Sequence, residues 1–158
     1  MPRRDMDSQP ATPKAARIIS LALIAGMVFF AVVVVGLIES GSFEASTTDD
    51  DDVFTTWLPL AGPILLLLTA PVGFMLRSQM LKKADEMEDP AKAAQPYLAG
   101  SILFMAMLEG PALLGIVTTL VTGSYFPNML APVMAIALGI ANLPGERHFA
   151  SRRELRGV

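Results

Sequence analysis

One carboxylate stands apart in this chain. Glu109 is the only charged residue between Lys92 and Glu146, near the middle of a long apolar run. A carboxylate deep in a bilayer is costly. Such groups are buried between helices, paired, or used to move protons and ions. On a helix Glu109 shares a face with Met105, Ala106, Ala112 and Leu113, all small or apolar. No Lys, Arg or His lies in any of the apolar runs, so its candidate polar partners are Thr69, Ser101, Thr118, Thr119 and Asn128. Pro111, two residues on, has no N–H and frees the carbonyl of Met107. Gly110–Pro111 therefore gathers a kink, an unpaired carbonyl and a carboxyl. Two chemistries fit. Glu109 is a reversible proton or Na⁺ carrier, or it stays protonated and joins helices through a hydrogen bond of about 0.5–2 kcal/mol. A ligand or lipid contact is the third reading.

The elements that position this residue follow from composition. Of the 158 residues 53% are hydrophobic and 17% charged, whereas soluble domains are about a quarter charged. Ile18 to Ile38 and Val53 to Leu76 carry no charge, and Ala93 to Gly145 is interrupted only by Glu109. About 20 helical residues cross a bilayer core. The last run is long enough for two crossings, divided near Gly123, Ser124 and Pro127. The expected fold class is thus an all-α integral membrane protein. Its four transmembrane helices form two hairpins at about 17–38, 56–77, 96–122 and 127–143. The first run is too long for the apolar core of a secretion signal, and no convincing small-residue cleavage motif follows it. It is read as a mature helix.

Charge sets the orientation. Arg3, Arg4, Lys14 and Arg17 precede the first helix; Arg77, Lys82, Lys83 and Lys92 separate the second from the third; Arg147, Arg152, Arg153 and Arg156 follow the fourth. The outer connections hold no Lys or Arg, which predicts both termini on the cytoplasmic side of an inner membrane. Residues 1–16 and the basic tail 146–158 flank the membrane domain 17–145, and the tail is suited to anionic headgroups. The outer loop 39–55 holds Glu39, Glu44 and Asp49 to Asp52 and reads as a solvated loop rather than an ion site. Its Asp run is a candidate cap for helix two. Trp57 and Tyr125 mark the outer interface and Tyr97 the inner one. The segment 78–95 carries both signs of charge and Pro90; its first half can extend helix two, and its mixed charge excludes a nucleic-acid surface. His148 is too isolated for a metal site. There is no cysteine.

Small residues recur at a spacing of four. Ala22 and Gly26, Ala106 and Gly110, and Ala131, Ala135 and Gly139 are candidates for close helix packing, within one chain or between chains. Laying Leu21 to Ile38 over Met105 to Thr122 matches Ala22 with Ala106, Gly26 with Gly110 and Ala31 with Gly115. This suggests a duplicated hairpin with parallel repeats.

The stretch AAQPYLAGSILFMAMLEGPALLGIV, 93–117, resembles the carboxylate-bearing helix of the rotary ATP synthase c subunit, the proteolipid family. Gln95–Pro96 stands at the end of the polar loop, Glu109 in the place of the ion-binding carboxylate, and Ala112 and Gly115 in the place of small packing residues. The resemblance implies proton or Na⁺ traffic through Glu109 in an oligomer. The helix before the loop, with only Gly62 and Gly73, lacks that family's dense glycine run.

No hydrolase triad, phosphate loop or HExxH motif is present. The expected function is non-enzymatic: a small integral membrane protein that self-associates or serves as an accessory subunit of a membrane complex, with no cofactor and no metal. Proton or Na⁺ translocation through Glu109, supported by Ala106, Gly110, Pro111, Ala112 and Gly115, is the alternative.

Overall fold

The computed structural model describes residues 13–42, 53–87 and 89–144. The outer Asp49 to Asp52 run, residues 1–12 and the tail with His148 lie outside them. Four helices follow in order: α1 (Pro13–Glu39), α2 (Val53–Glu86), α3 (Pro90–Thr122) and α4 (Leu130–Ala141). Among the described residues there is no strand. Three stretches, Lys14–Glu39, Trp57–Glu86 and Lys92–Thr122, are long and apolar enough to cross a membrane.

The fourth helix is apolar but has only 12 residues. It rises about 18 Å, against a hydrocarbon core of about 30 Å. It is shorter than the span expected over 127–143. Pro132 has no N–H to give the Asn128 carbonyl, so the regular ladder begins late. The residues before it close as turns instead, the Met129 N–H donating to the Tyr125 carbonyl at 2.9 Å.

The connection expected over 78–95 is mostly helix. Helix α2 runs to Glu86 and α3 begins at Pro90. Lys82 to Glu86 are good helix formers. Pro90 suits the first position of the next helix, where its missing N–H costs nothing. The Asp89 carbonyl accepts the Ala93 N–H at 3.0 Å, starting α3 at once. At their far ends α1 and α3 stop in the same way, at glycines in the left-handed region, Gly41 (φ 64°) and Gly123 (φ 65°).

Around α3 the other three helices assemble. It packs most extensively on α2, and also on α1 and α4, while α4 touches both α1 and α2. The chain neighbours α1 and α2 scarcely meet. The two helices of the first expected hairpin thus make little contact with each other; α1 lies on α3 and α4. Its buried positions, Ala16, Ser20, Ile24, Met27 and Val34, recur at spacings of three, four or seven, as do Tyr97, Ser101, Met105, Leu108, Ala112 and Ile116 on α3. The central core joins Ile24 and Met27 of α1, Leu66 of α2, Phe104, Met105, Leu108 and Ala112 of α3, and Ala131 and Ala135 of α4.

Contacts at the helix ends fix their relative directions. At one end Ala16, Ala84, Ala93 and Tyr97 form a second cluster, and Arg77 meets Asn142. At the other, Tyr125 meets Glu39. Every described Lys and Arg (Lys14, Arg17, Arg77, Lys82, Lys83 and Lys92) belongs to the first end.

Candidate functional site

Glycine decides how closely α3 meets its neighbours. On α2, a Cβ built on Gly62 would lie 3.1 Å from the Gly115 Cα, and one on Gly73 would lie 3.2 Å from the Met107 Cβ. On α3, a Cβ on Gly100 would come within 2.8 Å of the Met80 Cβ. At Gly115 it would stand 2.5 Å from the Asn128 carbonyl oxygen and 2.9 Å from Pro132 Cδ. The Asn128 carbonyl is the one that Pro132 deprives of its helical donor. Gly62, Gly115, Ala131 and Pro132 thus bring three helices together where no larger side chain fits. Gly139 belongs to the same class, with Met105 and Ile24 at 3.2–3.3 Å. Ala131 and Ala135 are fully buried beside it on α4.

Other small residues face outward. Ala22, Gly26, Ala106 and Gly110 are exposed, and a Cβ on Gly26 or Gly110 would meet nothing within 4 Å. Equal spacing along the chain therefore has two structural outcomes. The α4 set is buried within the chain, and the α1 and α3 pairs are exposed, with open space at Gly26 and Gly110.

Because α1 and α2 barely touch while α4 lies against both, the uncovered strip of α3 lies between α1 and α2. Ala99, Ala106, Gly110 and Val117 form it. Glu109 is half-buried at its border; Pro111 and Ala112 turn inward and are buried. The Glu109 carboxyl receives no hydrogen bond and no ion pair among the described residues.

The hydrogen-bond donors among its candidate partners are all engaged elsewhere, although the buried Asn128 side-chain oxygen has no partner. Thr69 of α2 donates to the Met107 carbonyl at 3.1 Å, the carbonyl freed by Pro111. The carbonyl left open one turn from Pro111 is thereby taken by a hydroxyl from the neighbouring helix. Ser101 donates to Tyr97, while Thr118 and Thr119 both donate to the Gly115 carbonyl. The Asn128 amide donates to the Thr122 hydroxyl and the Ser124 carbonyl.

The chain matches no protein-family model, no curated protein and no solved structure. Among the described residues no group of three His, Asp or Glu could hold a metal ion.

Two polar clasps hold the bundle ends. Arg77 donates to the Asn142 side-chain oxygen at 2.9 Å and to its backbone carbonyl at 3.1 Å, and its guanidinium lies 5.2 Å from the centre of the Phe104 ring. Phe74 packs tilted against Phe104 with centroids 4.6 Å apart. A cation at a helix carboxyl end satisfies a free carbonyl and opposes the dipole. Arg77 therefore seats the short α4 against α2 and α3. Sequence reasoning assigned Arg77 only to the charged flank; the signal available was a polar Asn closing an apolar helix at the same membrane level.

At the opposite end Tyr125 donates to the Glu39 carboxylate at 2.7 Å. That hydrogen bond raises the phenol above its ordinary value, with slight desolvation and the Glu39 charge acting the same way.

Proposed function

We propose that this protein is a small helix-packing subunit of a membrane complex, and that the strip of α3 between α1 and α2 receives another transmembrane helix. One observation carries the reading. At Gly62, Gly73, Gly100 and Gly115 a Cβ would crowd a neighbouring helix, whereas Gly110 meets nothing within 4 Å. Small residues in a bilayer allow close helix approach, and Ala106–Gly110 offers that approach to a helix outside the chain. The positive-inside rule supports a cytoplasmic basic end, and with it the reading of both termini on the cytoplasmic side of an inner membrane. The absence of cysteine makes the test clean. Single-cysteine variants Ala106→Cys and Val117→Cys should cross-link to a neighbouring helix in native membranes, while Leu67→Cys, 74% exposed on α2, should not. Equal cross-linking at all three would mean that the strip is ordinary lipid-facing surface.

The carrier reading is favoured by a different feature, the half-buried and unbonded Glu109 carboxyl. Labelling by a lipophilic carbodiimide that changes with pH or Na⁺, together with transport lost in Glu109→Gln, would support it. A Glu109 that merely bonds helices predicts a nearly silent Glu109→Gln.

A further inference from the structure

The Glu109 carboxyl is the single ionisable group in the described spans away from their ends, and no described residue bonds or pairs with it. The described hydroxyls of α2 and α3 near this depth have given their one hydrogen to backbone carbonyls, from Thr69 to Met107, Ser101 to Tyr97, and Thr118 and Thr119 to Gly115. Ser20 on α1 is fully buried and cannot be reached from outside. A second copy docked on the strip would bring the same committed hydroxyls and a second carboxyl. It would bring no cation at the depth of Glu109, because every Lys and Arg of the described spans lies toward their basic ends.

We infer that the strip of α3 formed by Ala99, Ala106, Gly110 and Val117 receives a single transmembrane helix of a different protein, bearing one Lys or Arg at mid-depth that pairs with Glu109. This rests on the subunit reading above and names the occupant. The small floor lets the incoming backbone approach closely, and Glu109 at the border is placed for a long basic side chain reaching across the contact. Each charge alone is costly in the bilayer; together they form a neutral, hydrogen-bonded pair. The pair also fixes the depth of the incoming helix, because sliding by one turn separates the charges.

The test uses the full chain in lipid vesicles, carrying a donor dye on Lys82→Cys, an exposed position near the basic end. Acceptor-labelled leucine–alanine transmembrane peptides bear a central Lys or, as control, a central Leu. The Lys peptide should associate about tenfold more tightly, a difference of roughly 1.4 kcal/mol. Glu109→Gln should erase the preference, and Gly110→Leu, which fills open space, should block both peptides. Equal binding of the two peptides, or a Lys preference that survives in Glu109→Gln, overturns the inference. The cross-linking above separates the two levels. Cross-links at Ala106→Cys without any Lys preference keep the receiving strip and discard the basic partner. Cross-links only between copies of this chain replace the partner by self-association. No cross-links at that position remove both.

Discussion

The two sides of α3 are built from the same residue types and do different work. Toward α2 and α4, Gly100 and Gly115 are pressed against a Met80 side chain and an Asn128 carbonyl, and Gly73 receives Phe104 and Met107. Toward the gap between α1 and α2, Ala106 and Gly110 are exposed, and a Cβ on Gly110 would meet nothing within 4 Å. A small residue in a bilayer is only permission for close approach. Whether that permission is used inside the chain depends on what lies opposite. The difference locates where the folded unit ends and where an assembly contact would begin.

The sharpest way to break this comparison is to enlarge one glycine on each side. Gly115→Leu should destabilise the bundle by about 3 kcal/mol, the upper part of the range for overpacking. Gly110→Leu should leave the isolated chain within about 0.5 kcal/mol of wild type. Unfolding in mixed micelles, followed through Trp57, measures both. Similar losses would erase the distinction between the two sides.

Next in size is the clasp at the basic end. Arg77→Ala removes the guanidinium's paired contact with Asn142 and should cost about 2 kcal/mol, within the range for a hydrogen bond to a charged group. The loss should appear as faster amide exchange over Leu138 to Asn142, with α2 and α3 unchanged. Smaller still is the hydroxyl from Thr69. Thr69→Val should cost about 0.6 kcal/mol, the average for such bonds in membranes. In a Pro111→Ala background the cost should vanish, since residue 111 then supplies the N–H that Met107 lacks. A cost that persists would show that Thr69 acts otherwise than by satisfying that carbonyl.

The slightest effect lies outside the membrane. With its pKa raised, the Tyr125 phenol binds its proton more tightly in the folded chain. The hydrogen bond to Glu39 therefore adds stability that is fully present below the ordinary phenol value of 10.0 and is lost as pH rises through the folded value above it. In a Tyr97→Phe background, phenolate absorbance should titrate at lower pH once Glu39→Gln is introduced. An unchanged midpoint would remove Glu39 as the cause.

Much of the fold was legible in the chain. Long uncharged runs marked the helices, and the placement of Lys and Arg marked which ends lie together. Helix adjacency was not legible, because lipid and protein demand the same apolar side chains and periodicity cannot tell one from the other. Ala22–Gly26 and Ala131–Ala135–Gly139 share a spacing, yet only the second set is buried. Glu109 and Pro111 were conspicuous as a pair, but the donor that claims the Met107 carbonyl comes from Thr69, 38 residues upstream of it, and no local pattern announces it. The roles of Gly62, Gly73 and Gly100 were hidden for the same reason: each is defined by an atom on another helix.

The scant contact between α1 and α2 bears on how the chain is made. During synthesis these two helices reach the membrane first, and neither offers the other much surface. They must remain as separate spans until α3 arrives with the surfaces that both require. An α1 supplied as a separate polypeptide should therefore complement a chain that begins at α2, because its contacts are with α3 and α4.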